Sequence, residues 1–353
     1  MAGVIAFRAT GDEGSRGPGG FDAKVAAPAR VYDYWLGGKD NFAADRIAGE
    51  AAIDAYPAIR ISARANRGFL MRTVSYLAGE RGIRQFLDIG AGLPAWPNTH
   101  EIAQSIAPHS RIVYVDNDPM VLSHARALLS GTPHGITAYV EADLRDTAAV
   151  LTRAAQALDF TRPVAILLLA VLDHVPGLDQ ARRIVARLLA AVPPGSFLVI
   201  SHAASDIDPD ETAEMIGRLN EHLAEGNFTG RPRDVVARFF DGLDPVAPGV
   251  VKVTQWHPRS ELEARGPASL WGGVARKPQT CRRAEPTRKP GQHSRPGPGP
   301  RGDDDPAPGN QQGPDFMSVT SPRQPPPAPA TAALPHHRVR TWMRSNGESA
   351  KTW

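Results

Sequence analysis

The feature that most constrains the fold of this chain is a run of nine apolar residues, VAILLLAVL, at positions 164–172. The run is too short to cross a bilayer as a helix, which takes about 20 apolar residues. It has no polar break, and this is typical of a central strand in a parallel sheet, which is buried on both faces. We therefore expect a sheet that helices cover on both sides.

Strand and helix patterns alternate on either side of this run. Strands are predicted at 85–89, 111–115, 136–140, 164–172, 196–201, 250–256 and 269–276. Helices are predicted at 28–36, 42–55, 61–80, 98–107, from Asp118 and Pro119 onward, and at 147–158, 179–192, 209–224 and 232–240. Such alternation predicts a parallel sheet with right-handed crossovers. Little helical sequence separates the last two strands, so they are predicted to form an antiparallel edge pair in a mostly parallel seven-stranded sheet.

The two ends of the chain differ from this α/β domain, which we place at 28–277. Residues 1–27 are rich in glycine and are predicted to be flexible. Residues 278–353 hold 15 of the 33 prolines and have no apolar period, so we predict a disordered tail. This tail carries 11 basic and 6 acidic residues, whereas the other 277 residues carry 29 and 31. The folded part has no basic excess, and no nucleic-acid partner is expected.

Composition excludes several other classes of protein. Cys281 is the single cysteine, which rules out a disulfide framework and a cysteine-clustered metal site, and no metal is expected. No apolar run reaches about 18 residues, so no membrane span is predicted. The first residues lack the apolar core of a secretory signal. A cytoplasmic location is the expectation.

Three carboxylates follow consecutive predicted strands at nearly equal spacing. Asp88, Asp116 and Asp143 are 28 and 27 residues apart, and each comes at or shortly after a strand end. Ligands of open α/β sheets bind at the carboxyl ends of the strands, so these side chains are predicted to share one pocket. Gly90 and Gly92 let the backbone approach a ligand closely.

These residue types favour a nucleoside ligand. A carboxylate beyond the second strand can accept both hydrogens of a ribose diol, and one beyond the third can accept from an exocyclic amine. No lysine or arginine lies between Gly90 and Thr99, which favours a cationic cofactor over a phosphate.

Three sequence segments resemble the motif series of class I S-adenosylmethionine-dependent methyltransferases. They are DIGAGLP at 88–94, VYVDNDPMVLSHARALL at 113–129 and EADLRD at 141–146. Further segments are similar to the methyltransferase-19-type branch, whose substrate is unknown: ARVYDYWLGGKDNFAADR at 29–46, NTHEIAQ at 98–104 and DVVARFFDGLDPVAPGVVKVTQWHP at 234–258. Pro94 stands where many class I enzymes have a third glycine, and Trp96 and Pro97 replace smaller residues in the same loop.

The resemblance implies a Rossmann-like fold, S-adenosyl-L-methionine as cofactor and a small-molecule methyl acceptor. It implies that Asp88, Gly90 and Gly92 line the amino-acid end of the cofactor and that Asp116 holds the ribose. It places Asn117 or Asp118 beside the adenine and Asp143 with Leu144 at the adenine edge. The fourth strand would end at the cofactor with Ala170, Leu172, Asp173 and His174.

Two histidines are candidates for a general base. His174 follows the fourth strand beside Asp173, which could orient it, and His202 follows the fifth strand. A polar loop contact is the alternative interpretation of His174.

The helical extension at 28–80 contains an aromatic segment followed by Gly37-Gly38. It could fold over the cofactor as a lid with Tyr32, Lys39 and Asn41 facing the pocket. Alternatively, it could be an aromatic helix that packs on the sheet and ends at a glycine cap.

Two other functions compete with a methyltransferase. A nicotinamide-dependent oxidoreductase also uses a glycine-rich turn and an acidic residue beyond the second strand, but Pro94 and Pro97 interrupt the loop that would hold a pyrophosphate. The other is a non-catalytic protein that binds S-adenosylmethionine, and Trp96 is the feature that favours it.

Overall fold

The structure, a computed structural model, describes residues 3–7, 22–128 and 132–279. In this part of the chain, nine strands form one sheet. In chain order they are β1 (Gly3–Phe7), β2 (Gln85–Ile89), β3 (Arg111–Asp116), β4 (Ile136–Glu141), β5 (Ala165–Leu169), β6 (Phe197–Ala203), β7 (Asp244–Pro245), β8 (Val251–Lys252) and β9 (Leu270–Arg276). The predicted tail lies outside the described residues, apart from its first two.

The strand order is β1-β4-β3-β2-β5-β6-β9-β7, and β8 also pairs with β9. Strands β1 to β6 pair in parallel, whereas β9 runs antiparallel to β6, β7 and β8. The mostly parallel α/β sheet with an antiparallel edge is confirmed. The chain passes from β2 outward to β4 and returns to β5 on the other side of β2, so the strand order reverses between β2 and β5.

The predicted number of strands was wrong, because the described sheet has nine strands and not seven. β1 lies within 1–27, which we had interpreted as flexible, and it pairs along its length with β4. β7 has only two residues, too few for any period to show. The strand predicted at 250–256 shortens to β8, since the chain turns into a 3-10 helix at Val253–Gln255 and buries Trp256.

Ten α-helices are described. They are α1 (Pro28–Leu36), α2 (Ala43–Ala55), α3 (Ile59–Gly79), α4 (Thr99–Ile106), α5 (Pro119–Leu128), α6 (Thr147–Ala154), α7 (Leu178–Ala190), α8 (Pro209–His222), α9 (Arg233–Ala237) and α10 (Glu261–Ala264). The first nine correspond to the nine predicted helices, although α9 is shorter than predicted, and α10 has no predicted counterpart. Two more 3-10 turns lie at Leu172–His174 and Arg238–Phe240.

Each face of the sheet carries its own apolar core, because successive side chains of a strand point to opposite faces. In β5, Ile166 and Leu168 belong to one core, together with residues of α6 and α7. Ala165 and Leu167 belong to the other core, together with residues of α3 and α4. This two-sided burial explains why the run at 164–172 is apolar throughout.

The first two helices pack away from the sheet. Trp35 of α1 lies in a third core with residues of α2 and α8, among them Ala52, Met215 and Leu219. The indole Nε1 of Trp35 donates to the Gly49 carbonyl at 3.2 Å. α1 ends at Gly37, which adopts the left-handed conformation of a glycine cap. In this arrangement α1 packs against α2 and α3, and α2 packs against α8.

No helix among the described residues is long and apolar enough to cross a membrane.

Candidate functional site

A cavity of about 570 Å³ lies at the carboxyl ends of β2, β3, β4 and β5. The candidate cofactor-binding residues, together with Asp173 and His174, line it: Asp88, Gly90, Gly92, Asp116, Asn117, Asp118, Asp143, Leu144, Ala170, Asp173 and His174. The structure thus brings the three carboxylates to one place. Leu172 differs from the expectation, because it is buried in the core beside the cavity.

The loop after β2 depends on two glycines that are not equivalent. Gly90 has φ +74°, and a Cβ there would come within 2.3 Å of the Val171 side chain. Gly92 has φ +66°, but a Cβ there would meet no protein atom within 4 Å. Gly90 is therefore required by the close contact between the ends of β2 and β5, whereas Gly92 leaves open space at the wall of the cavity.

Asp88 is buried at the end of β2. Its Oδ2 accepts a hydrogen bond of 2.6 Å from the Thr99 hydroxyl, at the start of α4. Burial raises the pKa of Asp88 to about 6, against the opposing effects of this hydrogen bond and the charge of Arg67. A cation placed beside this carboxylate would restore its ionised form.

Asp116, at the end of β3, holds the glycine loop in place. Its two oxygens accept 2.9 Å hydrogen bonds from the backbone N–H groups of Gly92 and Asp118. Burial raises the pKa of Asp116 to about 6 despite these bonds. Asp118 caps the start of α5, since its Oδ1 accepts from the Met120 N–H at 2.8 Å.

Asp143 lies further along the wall and is paired with an arginine. Arg145 donates to both carboxylate oxygens, and the shortest of these bonds is 2.7 Å. Burial raises the pKa of Asp143, but the contacts with Arg145 outweigh it and the pKa falls below its ordinary value. Arg145 also reaches Glu225 at 3.2 Å. This pairing links the end of β4 to the loop after α8.

Asp173 does not orient His174 in the way we expected. Its Oδ1 lies 2.9 Å from Nδ1 of His202 and accepts from the Ala203 N–H at 3.1 Å. Arg231 donates to the other ring nitrogen of His202, so Nδ1 carries the proton, and both Asp173 Oδ1 and the Ala203 carbonyl oxygen lie 2.9 Å from it. All three side chains are buried, and His202 does not line the cavity. His202 lies within β6 and not after the strand as expected, and because its side chain is buried outside the cavity it belongs to a structural network.

His174 faces the cavity without a hydrogen-bond partner for its Nδ1. Its ring lies edge-on to Phe228, with 5.3 Å between the ring centroids. Burial lowers the pKa of His174, although the charge of Asp173 opposes this effect. The imidazole is therefore neutral at pH 7 and can accept a proton.

The N-terminal helices contribute Tyr32 to the cavity, but not all the residues expected of a lid. The Tyr32 hydroxyl donates to the Ala63 carbonyl at 3.0 Å and accepts from Asn66 Nδ2 at 3.1 Å. Lys39 is exposed, and the side-chain amide of Asn41 donates to Asp33. Neither lines the cavity. The helix does end at a glycine cap, but it packs on α2 and α3 and not on the sheet.

Sequence reasoning missed several side chains that line the cavity, chiefly Asn66 and Arg67 of α3 and Tyr56, Phe228 and Ser269. One feature could have found Asn66. It follows Ser62 by four residues and precedes Leu70 by four, so it lies on the buried face of α3. A polar residue on such a face needs a partner.

A family model described as S-adenosyl methyltransferase matches residues 16–278 of this chain. The chain belongs to this family. Among solved structures, a DUF574 family protein from Streptomyces avermitilis is 45% identical, with a TM-score of 0.70, and the match covers 73% of this chain and 99% of that one. A candidate methyltransferase from Thermobifida fusca is 38% identical, with a TM-score of 0.67, over 72% of this chain and 96% of that one. No curated protein matches the chain.

The family match confirms the resemblance that the sequence motifs carried. The protein is an S-adenosylmethionine-dependent methyltransferase with a Rossmann-like α/β fold, and the oxidoreductase alternative is not favoured. Trp96, which had favoured a non-catalytic protein, is 83% exposed and does not line the cavity. Arg67 holds the backbone on both sides of it, donating to the carbonyls of Ala95 and Pro97.

The residues of the site fit the cofactor of an S-adenosyl methyltransferase. Two buried carboxylates with raised pKa values suit a cationic ligand that also offers hydroxyl donors. The open space at Gly92 lets a ligand lie against the backbone. Ala170 also has a left-handed backbone, with φ +51°, which is uncommon for a residue with a side chain and occurs most often at functional sites.

Proposed function

We propose that this methyltransferase transfers the methyl group of S-adenosylmethionine to a small molecule held in the same cavity as the cofactor. One observation carries the proposal: the cavity joins the strand-end residues to a second set of side chains from α1, α3 and α8, from Tyr56 between α2 and α3, and from the loop after α8. Its volume is in the range of small-molecule sites. The folded part also lacks the basic excess that a nucleic-acid substrate would need.

The cofactor is proposed to lie across the ends of β2, β3 and β4. Asp88 would interact with its amino-acid end, and the backbone at Gly90 and Gly92 would lie against it. Asp116 would accept from the ribose hydroxyls, since each of its oxygens keeps a further lone pair. The adenine would lie between Asn117 or Asp118 and Leu144, with Asp143 at its edge and Ala170 on the β5 side.

The enzyme would act mainly by positioning the acceptor. S-Adenosylmethionine supplies a methyl group on a positively charged sulfur, which is already reactive toward nucleophiles. The walls of the cavity would align the acceptor atom with this methyl group and exclude water. If the acceptor must lose a proton, His174 is the proposed base, because burial keeps its imidazole neutral. Asp173 would contribute its charge at the same wall.

Calorimetric titration tests the cofactor assignment. S-Adenosylhomocysteine should bind and NADH should not. A panel of small acceptors with S-adenosylmethionine should then release S-adenosylhomocysteine. Binding without turnover for every acceptor would favour the non-catalytic alternative, and binding of NADH alone would contradict the assignment. The cytoplasmic location remains a prediction from the sequence.

A further inference from the structure

Asp173 presents one carboxylate oxygen that has no partner. The residue is 0% exposed and lines the cavity. Its Oδ1 is engaged by His202 and by the Ala203 N–H, whereas Oδ2 has no hydrogen bond. A buried carboxylate oxygen left in this way costs free energy unless a ligand donates to it. Because an ionised carboxylate only accepts hydrogen bonds, the missing partner is a donor.

Asn66 presents a second oxygen of the same kind. It is 4% exposed, lines the cavity, and its Oδ1 has no hydrogen bond. The orientation of the amide is fixed by Tyr32: the Tyr32 hydroxyl donates its one proton to the Ala63 carbonyl, so it can only accept from Asn66. The amide nitrogen therefore points to Tyr32, and the oxygen is left for another donor.

Asp173 and Asn66 line the same cavity, and Tyr32 lines it as well. Tyr32 is hydrogen-bonded to Asn66 at 3.1 Å. Burial raises the pKa of Tyr32, against the opposing effects of the Asn66 hydrogen bond and the charge of Arg67. Aromatic and apolar side chains, including Trp35, Phe228 and Met215, line the same cavity. Aromatic rings stabilise cations as well as apolar groups.

The positive side chains of the described cavity wall are already engaged. Arg30 pairs with Asp45, Arg67 donates to backbone carbonyls, and Arg145 holds Asp143. A carboxylate or phosphate group on the acceptor would therefore have to compete with existing contacts. The two unpartnered oxygens, Asp173 Oδ2 and Asn66 Oδ1, favour an acceptor molecule that donates hydrogen bonds, and most strongly a cationic one.

We propose that the methyl acceptor is an amine with an apolar body, held through its N–H groups by Asp173 Oδ2 and Asn66 Oδ1. This inference rests on the proposed function and names the substrate class of that same cavity. The aromatic and apolar lining would receive the rest of the molecule.

The chemistry of an amine acceptor balances at this site. The bound ammonium first gives one proton to a base, for which neutral His174 is placed on the same cavity wall. The freed nitrogen lone pair then bonds to the methyl carbon while the carbon–sulfur bond breaks, and its electron pair stays on sulfur. The products are a methylated ammonium, S-adenosylhomocysteine and one proton, which leaves from the base.

The test uses the full chain saturated with S-adenosylhomocysteine and three probes of similar shape: phenethylamine, phenethyl alcohol and phenylacetate. A second set contains the amine, alcohol and acid whose side chains are longer by one methylene. Calorimetry should show the amine of one set binding at least about tenfold more tightly than its alcohol and acid, as expected when charged hydrogen bonds decide. With S-adenosylmethionine, mass spectrometry should find the N-methylated probe. No amine preference in either set, including no binding of any probe, would overturn the inference.

Two variants test whether Asp173 and Asn66 cause the preference for the amine. Asp173→Asn should lose the amine preference by about tenfold or more, and Asn66→Leu should weaken amine binding while it keeps the helix. Both should bind S-adenosylhomocysteine within about twofold of the wild type. Asp179→Asn, an exposed carboxylate on α7, is the matched control and should change neither.

Different results would contradict the amine acceptor and the proposed function. If both variants lose S-adenosylhomocysteine in proportion to the amine, the two oxygens hold the cofactor and the inference is wrong. If the wild type does not bind S-adenosylhomocysteine at all, the proposed function is wrong. If Asp173→Asn does not fold, Asn66→Leu and the wild-type selectivity still decide.

Discussion

Asp88 and Asp116 are the residues whose chemistry is most changed by the fold, since burial raises both pKa values from 3.8 to about 6. Between pH 3.8 and about pH 6, these two carboxyl groups bind more protons in the folded state than in the unfolded state. Their contribution to stability therefore falls as pH rises from about 4 to about 6 in the ligand-free enzyme. Bound S-adenosylmethionine would stabilise the ionised forms.

Proton release on binding follows from these two carboxylates. At pH 6, binding of S-adenosylmethionine should lower both pKa values and release protons, and the affinity should rise between pH 5 and pH 7. Calorimetry in two buffers with different ionisation enthalpies measures the number of protons. Asp116→Asn should release fewer. Proton uptake on binding would contradict the placement of the cofactor beside these groups.

Removing the Asp116 side chain tests its proposed role directly. Asp116→Ala should weaken binding of S-adenosylhomocysteine by about 1–3 kcal/mol, the usual cost of losing a hydrogen bond to a charged group. Titration calorimetry checks this, with Asp179→Asn as the control on an exposed carboxylate. An unchanged dissociation constant would show that the ribose lies elsewhere.

At the scale of elements, the turn after β2 distinguishes packing from ligand contact. Gly90→Ala should destabilise the protein more than Gly92→Ala, because both residues have a left-handed backbone costing about 1–2 kcal/mol but only Gly90 would also clash with Val171. Urea unfolding of the two variants measures the difference. Equal losses would mean that the Val171 side chain moves aside.

A second element-scale prediction concerns the network that joins the end of β5 to β6 and the loop before α9. Arg231 donates to the carbonyls of Leu172 and Val175 and to His202, behind Asp173. Arg231→Leu should cost about 3–5 kcal/mol of stability, because it leaves buried polar groups unpaired. Chemical denaturation checks this value.

The matched control for that variant is Arg238→Leu. Arg238 pairs with Asp234 at 3.6 Å on an exposed surface, where an ion pair contributes less than about 1 kcal/mol. A similar loss in both variants would show that the buried network is not what stabilises this region.

At the scale of the whole molecule, Lys277 attaches the C-terminal end of the described fold to its neighbouring segments. Its backbone pairs with Gly195 and Ser196, and its ammonium donates to the carbonyls of Leu189 and Val192 at the end of α7. Truncation after Gln279 should therefore shift the melting temperature by less than about 2 °C, the effect of less than ~1 kcal/mol. Calorimetric melting tests this, and a larger drop would show that the tail is structural.

Most of the sheet could be predicted from local patterns. The apolar strands and the capped helices follow from periodicity, and Asp118 with Pro119 marks the start of α5 in the sequence itself. β1 and β7 could not be predicted, because a five-residue strand among glycines and a two-residue strand have no periodicity of their own. Their pairing is decided by β4 and β9, which are far away in the chain.

The sequence by itself determined that Asp88, Asp116 and Asp143 would share one edge of the sheet, because each follows a parallel strand and parallel strands end together. Only the tertiary structure decided what surrounds them. Asp173 contacts His202 and not His174. Asn66 lines the cavity although it belongs to α3, which precedes β2 in the chain. The positions of most strands follow from local sequence, whereas strand pairing and side-chain partners depend on which distant segments pack together.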